Sequence, residues 1–153
     1  MMRRALPAML ALLAAACSNA ADGNATPLPS NNEVSMQDAQ SVARQIGVTF
    51  PAGATVEHAG QIEGRDNAAQ AILLMPKADW AAWRATLVPG NAPPFSADAN
   101  FHLGPDDGNW TPGKTPDLTT VQVPWREGNE SLNIGYAPTS GGKVRVFLFW
   151  HQL

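Results

Sequence analysis

Residues 144–150 read VRVFLFW, and this run restricts the fold more than any other. Side chains alternate across a strand. Val144, Val146, Leu148 and Trp150 therefore share one side, and Arg145, Phe147, Phe149 and His151 the other. Both sides turn apolar towards Trp150, which predicts an internal strand covered at least partly on both faces. The rest of the 153 residues must supply its neighbours and its cover, within a length that suits one domain. Thirteen Gly and thirteen Pro argue for many turns and few long helices.

Two short helices are predicted. Met36, Ala39, Val42, Ala43 and Ile46 recur at spacings of three and four, an apolar stripe that predicts a helix over 36–46. Ser35 is placed to cap it, with Asp38 three residues on, and Gly47 to end it. Pro76 and Asp79 suit a second helix start. Trp80, Trp83 and Leu87 fall on one face of that helix over 77–87, and Val88-Pro89-Gly90 closes it.

Strands are predicted over 54–62 and 69–75, joined at Gly64-Arg65-Asp66-Asn67. Others follow over 119–123, over 132–136 with Asn133 and Gly135 on a polar face, and over 144–150 after the turn at 139–142. Between them, residues 88–119 hold six prolines and four glycines, with Phe95, Phe101, Leu103 and Trp110 as anchors for an ordered loop on the sheet. The order α-β-β-α-loop-β-β-β has too few helices to separate parallel strands. The expected class is α+β, a mainly antiparallel sheet of about five strands with two short helices. A small β-sandwich or barrel with peripheral helices is the alternative.

The amino-terminal residues follow another logic. Arg3 and Arg4 precede a twelve-residue apolar run, Ala5–Ala16, too short to span a bilayer as a helix. Leu13-Ala14-Ala15-Ala16-Cys17 follows, with the chain's single cysteine. This combination resembles the lipobox of bacterial lipoprotein precursors, with Ala14 where that class more often carries leucine. The resemblance implies cleavage before Cys17, acylation of its thiol and a membrane anchor. Ser18, in place of aspartate, implies the outer membrane, facing the periplasm. Cleavage elsewhere in 14–21, giving a soluble secreted protein, is the alternative. The expected division is a signal peptide over 1–16, the lipidated cysteine and a polar tether over 17–33, and one domain over 34–153.

Charge and chemistry narrow the function. The net charge is −3, and removing Arg3 and Arg4 from the ten Lys+Arg leaves eight against 13 Asp+Glu, a net −5. That gives no electrostatic case for nucleic acid. A lone cysteine makes no internal disulfide and no Cys-rich zinc site. Gly-x-Ser-x-Gly and a Gly-rich phosphate loop are both lacking, and Ser96 and Ser140 have no His or acid at a known spacing. His58, His102 and His151 are dispersed and read as strand-borne surface residues. Gly104–Asn109 and the acid pairs Glu57/Glu63, Asp106/Asp107 and Glu127/Glu130 read as turn chemistry. No cofactor, metal or catalytic residue is expected.

Five tryptophans against one tyrosine remain. Trp80, Trp83 and Trp150 lie on apolar faces and are expected in the core. Trp110 and Trp125 lie in loop or edge contexts and are the candidate binding residues, because an exposed aromatic offers contact area. The expected protein is a lipid-anchored cell-envelope lipoprotein with a small binding or interaction domain for an envelope protein or glycan. A small envelope hydrolase and an inhibitor or immunity-type protein are the alternatives.

Overall fold

The computed structural model describes residues 35–64, 66–97, 103–104, 106 and 108–153. The signal segment, Cys17 and the tether lie outside the described residues, as do Arg65, Phe101, His102 and Asp107.

The order is α1 (Met36–Ile46), β1 (Thr55–Ile62), β2 (Ala68–Pro76), α2 (Lys77–Leu87), β3 (Thr119–Trp125), β4 (Glu130–Pro138) and β5 (Lys143–Gln152). The strands form one open antiparallel sheet in the order β1-β2-β5-β4-β3. The fold is therefore α+β, and the open sheet excludes the sandwich and barrel alternatives. β5 occupies the centre, as its two apolar faces require.

Local chemistry sets the helix bounds. The Asp38 amide donates to Ser35 Oγ at 3.1 Å, the hydrogen bond of an N-cap. Gly47 takes the left-handed conformation at φ 81°, and the Gly47 and Val48 amides return to the Arg44 and Ala43 carbonyls. That pattern closes α1 and uses both amides. α2 stops where Val88 becomes extended ahead of Pro89.

Both helices lie on one face of the sheet, α1 against β1 and β2, and α2 against β2 and β5. Val42, Ile46, Trp80, Trp83 and Leu87 pack there on Leu73, Val121, Val123, Leu132, Ile134, Val146, Leu148 and Trp150. Trp80 meets Trp83 edge-on, with ring centroids 6.2 Å apart. Trp150 is buried in the same core, as expected, and its indole donates to Glu130 Oε2 at 2.7 Å, under the Arg126 guanidinium.

The described residues after α2 lie on both faces of the sheet. Phe95 packs on the helix side against Trp80 and Tyr136. Ser96 then pairs with Thr120 of the edge strand β3 through two backbone hydrogen bonds. Leu103 and Trp110 lie on the opposite face, with Ala68, Ile72, Phe147 and Phe149. The contact is close: a Cβ on Gly104 would lie 2.6 Å from the Phe149 ring, and one on Gly135 would lie 2.8 Å from Leu103. As a result the polar face of β4 is not solvated. Asn133 and Ser131 are both 4% exposed, contrary to the alternation in the sequence.

Candidate functional site

β3 ends at the carboxyl end of α1, where four helix carbonyls lack intrahelical partners. Trp125 Nε1 donates to the Ile46 carbonyl at 2.7 Å, and Arg126 Nη2 donates to the Gln45 carbonyl. Arg126 Nε also pairs with Glu130, so the guanidinium joins the helix end to β4. The backbone follows these contacts into an unusual turn. Arg126 (φ 38°), Glu127 (φ 65°) and Gly128 (φ 83°) are all left-handed, a costly conformation for the two residues other than glycine.

Trp125 remains half-buried and lines an open groove of about 330 Å³. One wall is Gly47, Val48 and Thr49, from the turn after α1. The other is Trp83, Thr86 and Leu87, from the last turns of α2. Trp83 is fixed by edge contacts with Phe50 and Trp80. Thr86 Oγ1 donates to the Trp83 carbonyl at 2.7 Å, so it presents only acceptor lone pairs to the groove. All the lining side chains are uncharged. On the far side of α2 a second groove of about 420 Å³ is lined by Ala81, Arg84, Ala85, Val88, Pro94 and Phe95.

Trp110 is a correction to the sequence reading. It is 0% exposed, so it offers no contact surface. Its Nε1 donates to the Leu103 carbonyl at 2.9 Å, and its ring packs on Phe147, Phe149 and His58. The two candidate tryptophans thus lie on opposite faces of the sheet, and only Trp125 reaches the surface.

Among the described residues the other candidates fall apart in space. His58 is half-buried beside Gln70, at 3.0 Å between their Nε2 atoms, and is not a free surface histidine. His151 lies along the Phe149 ring, with centroids 5.5 Å apart. Among the described residues no group of three or more His, Cys, Asp or Glu could hold a metal ion. Glu57 is held by Arg145 through two hydrogen bonds at 2.7 and 3.2 Å. The bond to Glu57, and then its charge, hold the Arg145 guanidinium above its ordinary value against the opposing effect of partial burial. Glu130 is held between Arg126 and Trp150.

Sequence reasoning missed Trp83, Thr86 and Thr49 as groove residues. Trp83 is buried in the core, as its helical face shared with Trp80 implies, and it also lines the groove. The unmet carbonyls of α1 were the available signal that a donor-rich pair such as Trp125-Arg126 should dock there. No protein-family model, curated protein or solved structure matches this chain.

Proposed function

We propose that this protein is a lipid-anchored binding module of the bacterial cell envelope. Cys17 carries the anchor in the outer membrane, residues 18–33 tether the domain on the periplasmic side, and the groove at Trp125 takes the partner. The observation that supports binding most is Trp125 itself. Its one polar atom is spent on Ile46, its orientation is thereby fixed, and its ring still lines an open groove. A pre-oriented aromatic loses little freedom when a partner docks, which favours affinity.

Two measurements on the full-length protein test the two halves of this proposal. Palmitate should label the wild type and not Cys17→Ala; equal labelling would refute the anchor. Wild-type protein should retain envelope material that Trp125→Ala does not. Identical retention by both would refute the groove as the binding site.

A further inference from the structure

We infer that Asn129 is an acceptor for N-linked glycosylation, modified in the envelope before the sheet forms. The inference is independent of the Trp125 groove and rests only on the export proposed above.

The first observation lies in the sequence. Of ten asparagines, three are followed two residues on by Ser or Thr: Asn24-Ala25-Thr26, Asn109-Trp110-Thr111 and Asn129-Glu130-Ser131. That spacing is the acceptor pattern for N-glycosylation. The same three asparagines, and no others, are preceded by an acid and a glycine: Asp22-Gly23, Asp107-Gly108 and Glu127-Gly128. Thirteen Gly and 13 Asp+Glu among 153 residues would put that pair ahead of about one asparagine in a hundred. Acid, Gly and Asn are ordinary turn residues, but a turn gives no reason for a hydroxyl two positions later.

The second observation is that the shared pattern has no shared structure. Residues 22–26 and Asp107 lie outside the described residues, so the comparison is between Gly108–Thr111 and Gly128–Ser131. Gly128 is left-handed at φ 83°, and Gly108 is not left-handed. Ser131 is a strand residue of β4, paired with Pro124 and His151, whereas Thr111 leads into a short helical turn over 112–114. A pattern kept across different backbone conformations serves no common role in the fold. It suits recognition of the chain by an outside enzyme before the chain folds.

The third observation concerns access. Glu127, Gly128 and Asn129 are exposed, and a Cβ on Gly128 would meet nothing within 4 Å, so the turn has room for a glycan. Folding withdraws only the hydroxyl. Ser131 is 4% exposed, and Gln122 Nε2 donates to its Oγ at 2.7 Å. A transferase that grips Ser131 must therefore act before β4 pairs with its neighbours. Glu127, two residues ahead of the acceptor, offers a fixed charge to a cationic side chain of that transferase. In the transfer, Asn129 Nδ2 bonds to the anomeric carbon of a sugar carried on a lipid diphosphate. The bond from that carbon to the diphosphate oxygen breaks, the lipid diphosphate leaves with the electron pair, and the amide nitrogen gives up one proton to water.

The test uses the full-length protein, purified from the envelope of the bacterium that makes it. The peptide beginning at Glu127 is weighed by mass spectrometry. Sugar is expected on Asn129 and is lost in Asn129→Gln. Glu127→Gln removes one exposed charge and should lower occupancy about tenfold or more. Ser131→Ala should abolish occupancy, and Ser131→Thr should restore it. Folded protein made without the transferase, then incubated with membranes that hold the transferase and its lipid-linked donor, should stay unmodified at Asn129.

An unmodified Asn129 in wild-type protein taken from the envelope would overturn the inference and leave the binding module standing. Full occupancy in Glu127→Gln would overturn recognition of the acid. Modification of the folded protein to the extent seen in cells would overturn the order of events. A chain confined to the cytoplasm would refute both this inference and the export on which it rests.

Discussion

Trp125 joins two tasks that are usually separate. It satisfies a carbonyl at the end of α1 and it forms a wall of the groove. Trp125→Phe keeps most of the ring and removes the donor to Ile46. It should lower stability by about 1 kcal/mol, read as a lower urea midpoint with an unchanged slope. An unchanged midpoint would show that the carbonyl finds another partner at no cost. Gly104 makes the corresponding case on the opposite face. Its φ is 88°, and a Cβ there would strike Phe149 at 2.6 Å. Gly104→Ala should cost about 1–3 kcal/mol through overpacking. Gly64→Ala, where a Cβ meets nothing within 4 Å, should stay within about 0.5 kcal/mol of the wild type.

At the level of elements, helix ends were the most legible part of the sequence. Met36–Ile46 and Lys77–Leu87 match the spans read from spacing, cap and breaker. The signals lie within a few residues of the ends they set. Ser35→Ala should therefore cost about 1 kcal/mol by thermal or urea unfolding, since the Asp38 amide loses its acceptor. Strand identities were legible from alternation and from turns such as 139–142. Their lateral order was not, because nothing local to β5 says that it enters between β2 and β4. The polar face of β4 misled for a related reason. Alternation implies water on that side, but Leu103, distant in sequence, lies over Gly135. Trp110 was misplaced by the same segment, which brings it onto Phe147 and Phe149. The candidate site was half legible. Trp125 stood out as an aromatic at a strand end, while its partner Ile46 lies 79 residues away and leaves no local trace.

Across the whole molecule, a single sheet carries two cores that share β5. The helices cover one face and Leu103, Trp110 and Leu118 the other, and Val146, Phe147 and Leu148 are each nearly or wholly buried. Amide exchange should be slowest along β5 and its partners in β2 and β4. Thr55 and Gln61 on the edge strand β1 should exchange by smaller local openings. Faster exchange at Val146 and Leu148 than in β1 would contradict this arrangement.

The place of β5 also orders events in time. Among the described residues it comes after every other strand, yet it is the strand that joins the β1–β2 hairpin to the β3–β4 hairpin. While residues 143–152 are still being made, the earlier segments can form those two hairpins and no continuous sheet. Two-stranded hairpins are marginal on their own in water. The growing chain therefore has little to commit to, and assembly becomes a single late event that follows the arrival of its central strand.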